Sequence, residues 1–308
     1  MEEKRFGHSQ VYAYELGLGT NAVGGHNLFP NLDDETGKKI VRAALDSGIN
    51  LLDTAYAYGL GRSEELIGEV LKDYDRARVV VATKAAHDKD GSFNNTPEFL
   101  TNAVEESLKR LQTDYLDIFY IHFPDETTPK AEAVGALHEL KLAGKIRAVG
   151  VSNFSLDQLK DANQHGHIDV VEENYSLLHR EAEKDLFPYL KQQGISFVPY
   201  FPLSSGLLTG KYALDTKFAA DDRRLKNPNF QGERYKEIVR TVDSLKSLAK
   251  ANDATIAQLL LAWYMKNPNV TVVIPGAKQP EQVLDNAKAM DVRLSNDDYA
   301  LIDQAFKF

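Results

Sequence analysis

Four residues in the first half of the chain, Asp53, Tyr58, Lys84 and His122, have side chains suited to one task, giving a proton to a carbonyl oxygen. A free tyrosine, with a pKa of about 10, is too weak an acid near neutrality, but an ammonium beside it stabilises the phenolate and lowers that value. Lys84 would be the ammonium. Burying it is costly unless a carboxylate pairs with it, which is the part open to Asp53, and His122 would hold the substrate oxygen or assist the proton relay. Singly, each has a plainer explanation: a salt bridge for Lys84 or Asp53, a packed loop residue for Tyr58 beside Gly59, a turn histidine before Phe123-Pro124. The chemistry needs one scaffold that brings all four to one place.

The pattern of the chain supplies such a scaffold. Short apolar runs recur at Leu16–Gly19, Ile49–Leu52, Val79–Ala82, Leu116–Ile121, Ile146–Val151, Ile168–Val171, Ile195–Pro199 and Val270–Ile274, and each reads as a strand buried on both faces. Amphipathic segments with start signals lie between them: Asp33-Asp34-Glu35 before Thr36–Ser47, Thr96-Pro97-Glu98 before Phe99–Leu111, Ser155 before Leu156–Ala162. Strand then helix, about eight times, predicts an α/β fold, a (β/α)8 TIM barrel, in one domain over residues 1–308. A hairpin over Phe6–Tyr14 would close its bottom and a helix over Ser295–Phe306 would end it. Leu203–Gly232, rich in Gly, Asp, Asn and basic residues, reads as a long loop over the mouth after the seventh strand, with helices following at Glu233–Lys250 and Thr255–Lys266. Catalytic groups of such barrels gather at the C-terminal strand ends. The polar residues there are Thr20 and Asn21, Asp53 and Tyr58, Lys84, His122, Ser152 and Asn153, Glu172 and Glu173, Tyr200, and Lys278.

Composition excludes several classes. The 308 residues carry 36 Lys+Arg against 45 Asp+Glu, a formal charge of −9 with no basic block, so nucleic acid is not an expected partner. With no cysteine there is no disulfide, thiolate metal site or cysteine nucleophile, and no metal site is expected. No run approaches the roughly 18 apolar residues of a membrane span, so the reading is a cytoplasmic protein, a monomer being favoured. Gly17–Gly25 looks like G-x-G-x-x-A, but a loop follows where a dinucleotide fingerprint needs a helix. His165-Gly166-His167 has no third ligand nearby in sequence and reads as a solvated loop, His138-Glu139 lacks the second histidine of a zincin helix, and Trp263 shares helical spacing with Leu259 and Leu260 and reads as core.

The motifs around these residues resemble those of the aldo-keto reductases. Gly48–Gly59, continuing Arg62-Ser63-Glu64-Glu65-Leu66-Ile67-Gly68, is similar to the family's second-strand signature, with Asn50 where many members carry arginine. Val81–Lys84, Ile121–Pro124, Gly150–Phe154 and Ile274–Lys278 follow in family order. Asn21–Leu28 and Tyr200–Leu208 are most similar to the bacterial branch typified by the inositol-operon-type reductase. The resemblance implies NADPH-dependent reduction of a small-molecule aldehyde or ketone, with Asp53, Tyr58, Lys84 and His122 as the catalytic tetrad and Tyr58 as general acid. It further implies an NADP site in which Thr20, Asn21 and Asp53 lie close to the cofactor, Ser152, Asn153 and Glu172 hold the nicotinamide carboxamide, and Tyr200 stacks on its ring. Phe201, Pro202, Leu203, Ser204, Gly206, Leu208 and Lys211 would follow the pyrophosphate, and Gly276, Ala277, Lys278, Gln282 and Asn286 would surround the adenosine 2′-phosphate and adenine. Glu172 departs from the family's usual glutamine; an ionised carboxylate there accepts but cannot donate.

Two other readings remain at this level. Barrels of this family also serve as channel β-subunits in which the nucleotide is a signal, and Lys84 could be the Schiff-base nucleophile of an aldolase. A carboxylate neighbour would keep Lys84 protonated and disfavours the second. Phe29, Phe123 and the 203–232 loop are candidates for the substrate pocket.

Overall fold

A computed structural model describes residues 2–88, 91–219 and 222–308; two residues of the loop expected over 203–232 therefore lie outside the described residues. An antiparallel pair comes first, β1 (Glu3–Arg5) with β2 (Tyr12–Tyr14). Seven parallel strands follow in sequential order, β3 (Leu18–Gly19), β4 (Leu51–Asp53), β5 (Val80–Ala85), β6 (Leu116–Ile121), β7 (Ile146–Ser152), β8 (Val170–Asn174) and β9 (Ser196–Tyr200). The eighth expected run, Val270–Ile274, closes the ring without a regular ladder. Thr271 N–H donates to Phe197 O on one side, Gly17 N–H to Val273 O on the other, and Gly19 bridges Gly276. The reason is local: Thr271 Oγ1 accepts the Phe197 N–H in place of a backbone carbonyl, and Pro275 has no N–H to give. The result is the (β/α)8 barrel read from the sequence.

The hairpin plugs the N-terminal end. Phe6, Val11 and Ala13 are buried against Leu51, Val80, Ile118, Val170, Val198 and Val272 inside the barrel, and Gly7 N–H donates to Ser196 Oγ. A Cβ on Gly7 would lie 2.3 Å from Asp169 O, so only glycine fits the hairpin tip where it meets the start of β8.

The outer ring is α1 (Asp34–Asp46), α2 (Arg62–Leu71), α3 (Pro97–Leu111), α4 (Lys130–Leu142), α5 (Leu156–Ala162), α6 (Leu186–Gln193), α7 (Gly232–Ser244), α8 (Lys246–Ala251), α9 (Ile256–Lys266), α10 (Pro280–Ala287) and α11 (Asn296–Ala305). Their starts are set by side chains that accept orphan amides: Asp33 from Thr36, Thr96 from Phe99, and Ser155 in a capping box with Gln158. The single helix expected over Glu233–Lys250 is broken at Leu245, where Ser244 Oγ bonds back to Thr241 O and Leu245 N–H tightens onto Val242 O. Trp263 is fully buried against Tyr299, as core. Among the described residues no helix is long and apolar enough to cross a membrane.

Candidate active site

Parity along the strands decides which side chains enter the barrel. On β5, Val80 and Ala82 point inward, so Lys84 does too; on β6, Ile118 and Tyr120 put His122 in the same row; on β8, Val170 is followed inward by Glu172. Asp53 ends β4, Ser152 ends β7 and Tyr200 ends β9. The register pairs Lys84 with Tyr120 and Ser152 with Glu172, placing these groups in one layer at the C-terminal mouth. Space for that layer comes from Gly150, whose Cβ would lie 2.3 Å from the Tyr120 ring.

Lys84 is fully buried. Its Nζ donates to Asp53 Oδ1 at 2.5 Å and to Thr54 O at 3.0 Å, while Glu172 Oε2 lies 3.2 Å away in an ion-pair contact that is not a hydrogen bond. The same Nζ is 5.7 Å from the centre of the Tyr58 ring and 5.5 Å from that of Tyr120. Burial disfavours the ammonium, but Asp53 and Glu172 outweigh it and hold Lys84 above its ordinary range, so it stays protonated. That geometry excludes a free amine for Schiff-base chemistry near neutrality.

Tyr58 is partly buried, on a turn whose backbone passes through Gly59 and Leu60 at positive φ. A Cβ on Gly59 would lie 2.0 Å from Gly24 O, so the turn packs backbone to backbone on the 21–28 segment. Asn27 clamps it from both sides, donating to Ala57 O at 3.0 Å and accepting from Gly59 N–H at 2.8 Å. The sequence expectation for Tyr58 acidity needs correction. Lys84 does pull the phenol down, but burial pushes it up by more, so the net direction is upward. Tyr58 is therefore held in its protonated form.

His122 flanks Tyr58 edge-on, ring centres 6.3 Å apart, and stacks on Phe123. Its Nδ1 is buried without a partner, and burial, with Lys84 second, holds the imidazole well below its usual pKa; the ring is neutral. His87 and Phe93 complete an aromatic wall, Phe93 stacked on Phe123 at 4.9 Å.

The residues expected around a nicotinamide fall into two groups. Asn153, at φ 61°, donates to His122 O and Ser152 Oγ and accepts from Tyr200 OH at 2.8 Å, so Ser152, Asn153 and Tyr200 form one polar rim beside the tetrad. Glu172 is turned toward Lys84 beneath that rim. Thr20 is fully buried, its hydroxyl donating to Asp53 O at 2.8 Å, so its side chain orders the end of β4. Asn21 Oδ1 lies over the Gly276 backbone.

Along the expected pyrophosphate path, Ser204, Ser205 and Gly206 all have positive φ and curl the chain. Phe201 is exposed, Pro202 O accepts from Tyr264 OH, and Leu208 is buried in the core with its amide bonded to Leu203 O. At the far end, Lys278 Nζ sits 4.2 Å over the Phe29 ring, while Gln282 Oε1 accepts from the Lys278 and Gln279 amides and caps α10; Ala277 and Asn286 are buried behind them. Burial, with Arg224 and Lys211 nearby, pulls Lys278 below its ordinary pKa, as expected where cations converge without enough anion. Arg224, braced by Asp222 and close to Lys278, is a residue the sequence reading missed, because the loop that carries it has no periodic pattern; Asn27, which clamps the turn that carries Tyr58, is another. A rim of amide and hydroxyl groups at one end, a positive-φ curve between, and the Lys278 ammonium at the other suit a nicotinamide dinucleotide.

His138 and His167 stack at 3.7 Å away from this mouth, with His165 alongside, so the dismissed histidines do meet one another. Among the described residues no group of three or more His, Cys, Asp or Glu is arranged to hold a metal.

The family model described as "Aldo/keto reductase family" matches residues 15–307. The chain is 39% identical over 292 residues to aldo-keto reductase YhdN of Bacillus subtilis (strain 168), covering 92% of this chain and 87% of the relative. It is 34% identical over 319 residues to an NADH-specific methylglyoxal reductase of Escherichia coli (strain K12), covering 98% and 97%. The solved structure of a glycerol dehydrogenase from Gluconobacter oxydans superposes with a TM-score of 0.90 at 32% identity, covering 98% of this chain and 94% of that one.

Proposed function

The chain belongs to the aldo/keto reductase family of oxidoreductases, and we propose that it is an NADPH-dependent reductase of aldehydes or ketones, built as one barrel domain close to the inositol-operon-type branch. The observation that carries this reading is the convergence of Tyr58, His122 and the Lys84–Asp53 pair on one side of the Ser152–Asn153–Tyr200 rim. When bound, the nicotinamide supplies hydride to the carbonyl carbon. Neutral His122 donates an N–H to the carbonyl oxygen and aligns it. Tyr58 then gives its phenolic proton to the nascent alkoxide, a base strong enough to take it even from a phenol made less acidic by burial. Lys84, locked by Asp53 and Thr54 O, stabilises the phenolate left behind. Ser152 and Asn153 would hold the carboxamide and Tyr200 would flank the ring, while Lys211, whose Nζ lies beside Gly206, would reach the pyrophosphate and Lys278 with Arg224 would meet the 2′-phosphate.

The cofactor part of the proposal stands against a relative that is NADH-specific. The cations around Lys278 favour the phosphorylated nucleotide, since a carboxylate is the usual reader of a free 2′-hydroxyl. A panel of aldehydes and ketones, followed by loss of nicotinamide absorbance with NADPH and with NADH, tests class and cofactor together. Turnover of a carbonyl with NADPH preferred is expected. No oxidation of either nucleotide by any carbonyl, with tight nucleotide binding retained, would support the channel-type regulatory reading instead.

A further inference from the structure

Beneath Lys84 lies a carboxyl group that the tetrad does not use. Glu172 is 2% exposed and points into the barrel from β8. Its Oε2 is 3.2 Å from Lys84 Nζ, the atom that Asp53 Oδ1 approaches to 2.5 Å. One ammonium thus faces two buried carboxyl groups. Asp53 Oδ2 and Glu172 Oε2 are both buried without a donor, and the two side chains lie within hydrogen-bonding reach of each other. Two ionised carboxylates only accept, so neither can satisfy the other. A single proton between them supplies the missing donor.

Charge gives the same answer. The other titratable groups facing the pair are Tyr58 from the loop after β4, Tyr120 from β6 and Tyr200 from β9, with His122 beyond Lys84 and Glu173 beside Tyr200. The tyrosines are protonated and the imidazole is neutral, so among the described residues Lys84 is the single cation of this cluster. With both carboxyls ionised the Asp53–Lys84–Glu172 triad would hold a net negative charge out of water; with one protonated the triad is balanced. Burial, reinforced by the Asp53 charge, holds Glu172 well above the ordinary carboxyl range, and burial also raises Asp53, against the pull of Lys84.

We propose that Asp53 and Glu172 share one proton, and that Glu172 is a positioning residue whose neutral form leaves the field of Lys84 free to stabilise the Tyr58 phenolate. A second full negative charge beside the ammonium would cancel that field and make Tyr58 a poorer donor. Reduction therefore falls as pH rises through the range where the pair loses its proton. Glu172→Gln keeps the shape of the protonated side chain, with an oxygen toward Lys84 and an N–H toward Asp53, but it cannot ionise. Its rate should not show that fall.

The shared proton belongs to the protein alone, whereas its kinetic consequence rests on the reductase reading, and the test separates them. Infrared titration of the nucleotide-free protein should show the carbonyl stretch of a protonated, buried carboxylic acid at neutral pH, lost on raising pH, shifted by 13C-glutamate labelling and absent from Glu172→Gln. No such band in the wild type, or a band that labelling leaves in place and Glu172→Gln retains, overturns the proposal without recourse to any variant's folding. The pH profile of kcat with NADPH and an active carbonyl is the second readout. Displacement of the alkaline limb by a pH unit or more in Glu172→Gln supports the positioning role. Superimposable profiles refute that role even if the band is found. If no carbonyl is reduced at all, the reductase reading fails and the infrared titration still decides the shared proton.

Discussion

Removing the Lys278 side chain tests the contact on which the proposed NADPH preference depends. Its Nζ lies over Phe29, its amide is tied to Gln282, and the neighbouring charges that perturb it most are cations, Arg224 and Lys211. The ammonium is thus short of anion and gains most from a 2′-phosphate. A hydrogen bond to a charged group is worth about 1.5–3 kcal/mol, and 1.36 kcal/mol is tenfold, so Lys278→Ala should weaken NADPH by about 10- to 150-fold. The lower half of that range is expected, because Arg224 remains to share the phosphate. NADH, lacking the phosphate, should bind as before. Fluorescence-quenching titrations of both nucleotides into wild type and variant would measure this, at low and at high salt, with the NADPH preference shrinking as salt screens the cluster. Lys278→Met keeps the packing on Phe29 and should match Lys278→Ala. Equal losses of NADPH and NADH would refute the reasoning, showing that Lys278 supports α10 or touches a part the two nucleotides share.

Three further outcomes follow from the same geometry. Tyr58→Phe should lower carbonyl reduction by about 10²- to 10⁴-fold, the usual contribution of a general acid, with NADPH affinity near wild type; unchanged turnover would remove Tyr58 as proton donor. Asn27→Ala frees the turn that carries Tyr58, since both of its bonds to that turn, to Ala57 O and Gly59 N–H, are lost; kcat should fall while nucleotide binding holds, and equal kcat would show that packing on Gly24 alone fixes the turn. Gly150→Ala drives a methyl to 2.3 Å from the Tyr120 ring, a contact that must be relieved by displacing the floor under Lys84. Overpacking of that kind costs about 1–3 kcal/mol, so calorimetry should record a melting temperature lower by several degrees, and an unchanged one would mean the ring moves freely.

The strands and most helices could be read from the sequence because their signals are local. Apolar runs, capping residues and Pro97 act within a turn or two, and their effects do not depend on what packs across the barrel. Where a side chain competes for backbone groups, local reading fails. Thr271 Oγ1 takes the Phe197 amide and Ser244 Oγ takes Thr241 O, so one expected strand loses its ladder and one expected helix breaks. Asn27 and Arg224 act across distances in sequence that no pattern links to their targets. The acidity of Tyr58 shows a related limit. The sequence offers the lysine but not the burial, and burial is the larger effect.

Glu172 shows where the two kinds of information meet. Alternation along β8 fixes that its side chain enters the barrel, and the motif places it at the rim where a glutamine is usual. Neither says what it faces. Lys84, Asp53 and Glu172 come from three strands, and only closure of the barrel sets an ammonium between two carboxyls. Once it does, the identity of the residue matters less than its proton. An ionised glutamate would be a poor substitute for glutamine, because it cannot donate, whereas a protonated one both donates and accepts. The departure read from the sequence as a mismatch is thus a conservative exchange at neutral pH and a disruptive one in alkali, and the same substitution, Glu172→Gln, should be nearly silent in the first regime and protective in the second.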